Sequence, residues 1–115
     1  MEFLKHHDPR VRRAMFGALL NKPDVITSEV FELASQAVRD PHESWWVKDA
    51  ALQIIGRGSP DQIVPLVDLL LPFLRHEEDW LKNAALTALT PVVADERCYR
   101  RVLPAIGDLI RKNQR

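Results

Sequence analysis

The sequence predicts an all-α fold, an α-solenoid of about six helices, and three observations predict it. The segment "HESWWVKDAALQII" from His42 aligns without gaps to "HHDPRVRRAMFGAL" from His6 and to "HEEDWLKNAALTAL" from His76, at offsets of 36 and 34 residues. Between these copies a second element recurs, as "EVFELASQAV" from Glu29, "QIVPLVDLLL" from Gln62 and "RVLPAIGDLI" from Arg101. Its apolar positions fall at i, i+1, i+4 and i+5, a helical stripe, and strand signals are absent throughout. A repeat period in this range points to a solenoid.

The punctuation places each element. Asp8 caps a helix near 9–20 with Pro9 in its first turn, and the stripe from Glu29 sets a helix near 28–39. Ser44 caps a helix near 45–56, and Gly56 and Gly58 suit its end. Ser59, Pro60 and Gln62 supply a cap, an N1 proline and a capping-box partner for a helix near 60–75. A fifth helix follows near 79–90, and Asp95 caps a sixth near 97–112. Pro65 and Pro104 share one alignment column, mid-helix, where a proline removes a hydrogen bond and bends the rod. Glu32 fills that column in the first copy and predicts a straighter helix.

Together these residues resemble the HEAT-repeat family. The resemblance is carried by the Pro65/Pro104 column, the turns at His42 and His76, the pairs Val11–Arg12, Val47–Lys48 and Leu81–Lys82, and the Ala-rich runs that follow. It covers nearly the whole chain. It implies antiparallel helical hairpins stacked into an α-α superhelix, with the proline in the first helix of each repeat and the Val-Arg pair in the second. One departure stands out. The family often has an aspartate six residues before the Arg/Lys, and here that column is His6, His42 and His76. The acids lie nearby, as Asp8, Glu43, Glu77 and Glu78, and Glu78 is four residues before Lys82, a spacing that allows pairing.

The domain reads as one HEAT-repeat unit over 1–115: a partial repeat 1–20, repeats 28–56 and 60–93, and an unpaired helix 97–112. "EFLKHHD" at 2–8 matches "PFLRHEE" at 72–78, so Phe3 and Leu4 read as the last turn of a first-type helix. The chain is therefore expected to be a fragment of a longer array. Ile106, Leu109 and Ile110 are candidates for an uncovered end face, through which self-association is possible, because solenoid ends need polar caps.

At 115 residues, 46% hydrophobic and 28% charged, the chain is long enough for a core and too apolar for disorder. Its formal net charge is zero, which argues against a dedicated nucleic-acid binder. Arg97, Arg100, Arg101, Arg111, Lys112 and Arg115 nevertheless make the last helix locally basic. Cys98 stands alone, so no internal disulfide forms, and it reads as a buried structural thiol. With no membrane span and no signal pattern, the expected location is cytoplasmic.

On a helical wheel, Val47, Ala50, Ala51, Ile54 and Ile55 form the core side of the third helix. Opposite lie Trp46, Asp49 and Gln53; the matching stripes are Trp80, Asn83 and Thr87 in the third copy and Arg10 and Arg13 in the first. The resemblance implies that these second helices line a concave surface. Trp46 and Trp80 are then expected about 10 Å apart, the spacing of packed helices. Two readings of them stand: anchors for a partner, or rings that seal the stack. Trp45 reads as packing, and Lys48 as a stem laid along the stack with its charge in solvent or paired. The histidine column does not suggest a metal site, because ligands of one ion must converge within bonding distance.

No nucleophile elbow, phosphate loop or metal-ligand cluster is present, and no enzyme, cofactor or metal is expected. The expected function is a protein-protein interaction scaffold that binds a protein or peptide through Arg10, Arg13, Trp46, Asp49, Gln53, Trp80, Asn83 and Thr87. Two alternatives are a structural spacer in a larger protein and a nucleic-acid-binding module. The latter would resemble HEAT-type DNA glycosylases, which set aromatic residues beside an aspartate, as Trp45 and Asp49 stand here.

Overall fold

A computed structural model describes residues 7–22, 26–76 and 78–113, with the backbone alone at 109, 112 and 113. Among these residues the fold is all-helical: α1 (Pro9–Leu20), α2 (Ser28–Arg39), α3 (Trp45–Ile55), a segmented rod α4 (60–75), α5 (Asp79–Leu89) and α6 (Tyr99–Asn113). No described helix is long and apolar enough to cross a membrane. Phe3, Leu4, His6, Glu77 and Arg115, and the side chains of Leu109 and Lys112, lie outside what the structure describes.

The start signals act as read. The Asp8 carboxylate accepts from the Arg10 N–H, the Ser44 hydroxyl from the Trp46 N–H, and Ser59 and Gln62 form a reciprocal capping box. Asp95 acts in the same way: its side chain accepts from the backbone and guanidinium of Arg97, as that of Asp8 does from Arg10, and its carbonyl accepts from the Cys98 and Tyr99 N–H groups. A turn over 96–98 leads into α6, which begins at Tyr99, two residues later than expected.

The prolines act unequally. The rod α4 is α-helical at Pro60–Ile63, tightens to 3₁₀ at Val64–Leu66, relaxes to α at Val67–Leu70 and tightens again at Leu71–Arg75. Pro65 and Pro72 each sit in a 3₁₀ segment, where the missing N–H shifts pairing from i−4 to i−3. Pro104 instead lies inside an unbroken α6, and α2, with Glu32 in that column, is one continuous helix.

Gly56 ends α3 as its C-cap, and it and Gly58 also serve packing. No described glycine has positive φ. A Cβ on Gly56 would lie 2.9 Å from the Thr87 carbonyl oxygen and 3.3 Å from the Ala88 Cα, so Gly56 lets α3 and α5 touch backbone to backbone. A Cβ on Gly58 would lie 2.5 Å from the Phe31 ring.

The core is one cluster. Helix α3 is its centre, packed against α1, α2 and α5. Val47, Ala51, Ile54 and Ile55 are fully buried, as the wheel requires, and so is Leu52 on a side the wheel left open. Neighbours on three sides explain this. Its counterpart Phe16 is also buried, whereas Leu86, on α5, is only half-buried. On α6, Val102 is buried and Ile106 half-covered, while Leu103 and Ile110 are exposed.

Candidate functional site

The exposed edge of the α1–α3–α5 row is built by side chains on equivalent positions. Trp46 stands at the start of α3 and Trp80 at the start of α5. Their rings lie parallel, 5° between planes and 4.6 Å between centroids. This replaces the expected separation of about 10 Å, which holds for helix axes; two long side chains leaning together close that gap, and parallel rings at this spacing fit offset stacking. The Arg13 guanidinium, from α1, sits 5.1 Å from the centre of the Trp46 ring. One arginine and two indoles from three helices thus form a continuous stack, with Trp46 54% exposed.

Around the stack, Asp49 accepts a long hydrogen bond from Gln53, 3.4 Å, one turn along α3. Partial burial raises the Asp49 pKa, and the Gln53 hydrogen bond and the Arg13 charge oppose that rise. Arg10 pairs with Asp8 at 3.1 Å while its side chain remains 91% exposed. Arg10, Arg13 and Trp46 line a single groove of about 540 Å³ together with Pro9, Ala14, Gly17 and Ser44. Asn83 and Thr87 are exposed farther along α5, where the Thr87 hydroxyl donates to the Asn83 carbonyl. The structure therefore gathers Arg10, Arg13, Trp46 and Trp80, seats Asp49 and Gln53 beside them, and leaves Asn83 and Thr87 as a polar extension.

A second cluster lies at the base of the same helix. Trp45 meets Phe73 edge-on at 6.4 Å and His76 at 4.7 Å. Its packing reaches across to the end of α4. Lys48 is 5% exposed, and its ammonium lies 4.6 Å from the Trp45 ring centre and 6.0 Å from that of Phe73. The stem is packed as expected, but the charge rests on aromatic faces instead of in open solvent. Burial pushes the Lys48 pKa down, while the charges of Asp40 and Glu43 pull it up. His76 takes the turn role expected of it, its Nδ1 accepting from the Glu78 N–H at 3.1 Å. Sequence reasoning missed this cluster; the signal was Phe73 three residues before a repeat-start histidine.

The ion pairs also correct the sequence reading. Lys82 pairs with Asp79 at 3.2 Å, not with Glu78. Arg12 of α1 reaches Glu43, ahead of α3, in a two-pronged contact of 2.6 and 2.9 Å. Glu43 is 6% exposed there and also accepts from the Ser44 N–H. The acid that follows His42 thus receives the arginine of the preceding copy; Glu77 aligns with it.

The basic character of α6 is offset by neighbours. Arg97 bridges Asp95 and Asp61, Arg101 pairs with Asp68 on α4 at 2.6 Å, and Arg111 pairs with Asp108. Asp95 is held down to about 2, mainly by its hydrogen bonds from Arg97. Cys98 is buried, its thiol 3.5 Å from the Val92 carbonyl, and burial raises its pKa.

No protein-family model matches this chain, and comparison with curated proteins and with solved structures finds no match. Among the described residues no group of three or more His, Cys, Asp or Glu side chains is placed to hold a metal ion. The chemistry on the α1–α3–α5 edge is that of contact: flat aromatic faces, guanidinium groups and amide or hydroxyl donors.

Proposed function

We propose that this chain is a HEAT-like α-solenoid segment that works as a non-enzymatic scaffold, presenting the α1–α3–α5 edge to a protein or peptide. The observation that carries the reading is the Arg13–Trp46–Trp80 stack. A half-exposed indole held between a guanidinium and a second indole is already ordered before a partner arrives. Little side-chain freedom is then lost on binding, and Trp and Arg are the side chains that most often dominate interface energetics. The repeated sequence elements, the row of equivalent helices and the Arg12–Glu43 link between successive copies support the solenoid part.

The nucleic-acid alternative is weakened by the pairing of Arg97, Arg101 and Arg111 with acids, because polyanion binding draws on unpaired cations. The glycosylase-like variant needs Trp45 and Asp49 to work together, yet Trp45 is engaged with Phe73 and His76.

The test replaces Asn83, beside the stack, with a photo-cross-linking amino acid in cells that express the chain. Under the scaffold reading a discrete adduct forms, and Trp46→Ala removes it without unfolding the protein. An adduct that survives Trp46→Ala and Trp80→Ala, or none at all, rejects the reading in favour of a structural spacer.

A further inference from the structure

The groove between α1 and α3 has a composition that specifies more than a contact surface. Arg10 and Arg13 line it together with the Trp46 ring, and none of its described lining residues is acidic, although Asp8 at its margin already pairs with Arg10. The Arg13 guanidinium carbon lies 5.1 Å from the Trp46 ring centre, over the ring, and the group donates no hydrogen bond to a described residue. A guanidinium stacked by its face keeps its N–H edge for in-plane, two-pronged recognition of a carboxylate.

The lining adds an independent observation. Gly17 sits inside α1, and a Cβ placed on it would meet no described atom within 4 Å. Glycine there is a poorer helix former than alanine, and no described neighbour requires it. Its missing side chain does one visible thing, which is to leave the groove open beside Ala14.

We infer that this groove docks an extended acidic peptide. One of the peptide's carboxylates is held by Arg13, with Arg10 beside it, and an adjacent apolar side chain rests on Ala14 and Gly17 against the Trp46 edge. This rests on the scaffold reading above and names its partner class. A nucleic acid fits less well, because two arginines neutralise few phosphates.

The probe is a phage-displayed library of random dodecapeptides panned against the whole chain, with enriched peptides then measured by fluorescence anisotropy. Enriched sequences are expected to carry Asp or Glu next to an apolar residue. Gly17→Leu, which fills the groove, and Arg13→Gln, which removes the charge, should each weaken binding at least tenfold. Glu32→Ala, at an exposed position of α2 outside this edge, should leave it unchanged. Thermal melting of Gly17→Leu at or above the parent excludes misfolding, since the substitution improves helix propensity. Neutral or basic enriched peptides, affinity within twofold after Gly17→Leu, or displacement by a single-stranded oligonucleotide of higher affinity would overturn the inference. If such peptides still require Trp46 and Trp80, the scaffold reading stands and only the acidic-groove assignment falls. A library with no enrichment, or binding indifferent to both tryptophans, rejects both.

Discussion

The cycle of Trp46→Ala, Trp80→Ala and the double replacement measures the stack directly. Trp46 is 54% exposed, so roughly half of the about 200 Å² that a tryptophan can bury is withdrawn from water. At about 25 cal/mol per Å² that area amounts to about 2.5 kcal/mol, an upper bound because unfolded chains already bury part of it. Trp46→Ala is therefore expected to cost about 2 kcal/mol, below the about 3–5 kcal/mol of a fully buried aromatic. Parallel rings at 4.6 Å should add a pairwise part of about 0.5–1.5 kcal/mol, seen as non-additivity in the cycle. Urea unfolding followed by far-UV circular dichroism gives all four stabilities. A Trp46→Ala cost typical of a core aromatic would make the ring a structural keystone. A coupling of zero would mean that the rings do not stack in solution. Either result refutes the reasoning. The expected result leaves a folded variant in which loss of binding can be read as loss of the contact itself.

Three further outcomes follow from the same geometry. Glu43→Ala should cost about 1.5–3 kcal/mol in thermal or urea unfolding, because Arg12 loses a two-pronged, charge-assisted contact, and replacing both residues by leucine should recover most of the loss. Asp49→Asn should stabilise the protein at neutral pH. Burial raises the folded-state pKa above the unfolded value, so the parent gains stability as pH falls through that window, and the advantage of the variant should shrink toward zero below it. Leu52→Ala should cost about 3–5 kcal/mol and Leu86→Ala about 2 kcal/mol by the same assay, since neighbours enclose Leu52 completely and Leu86 only in part.

The sequence made the helices legible because each is bounded by local chemistry. Asp8, Ser44 and the Ser59–Gln62 box act within three residues of where they stand, and the apolar stripes of α2 and α3 follow the helical period. What escaped depends on side-chain direction across distances that no local rule fixes. The wheel placed Trp46 and Trp80 on the right face but measured their separation by helix axes, and the rotamers bring the rings into contact. The Lys48 stem was legible as packed, with its charge in solvent or paired, but the placement of its ammonium over Trp45 and near Phe73, twenty-five residues later, was not. Gly56 read as a helix end, and that reading hid its closest neighbour.

That neighbour is the Thr87–Ala88 backbone of α5, which gives the α3–α5 contact two clamps. One is the indole stack at the start of both helices. The other is the approach at Gly56, ten residues farther along α3, about 15 Å at the helical rise. Between them the seam is lined by small residues such as Ala51, Ala84 and Ala85. Gly56→Ala puts a carbon 2.9 Å from a backbone oxygen that has no rotamer to yield, so the helices must part there, at a cost of about 1–3 kcal/mol. Sites this far apart normally add. If α3 and α5 are rigid, Gly56→Ala combined with Trp46→Ala should cost the sum of the two alone, within about 0.5 kcal/mol. The Trp46–Trp80 coupling should also be the same in both backgrounds. A coupling that disappears with Gly56→Ala would mean that the helices pivot about the alanine seam, so that the shape of the exposed stack is set by the buried contact at the opposite end.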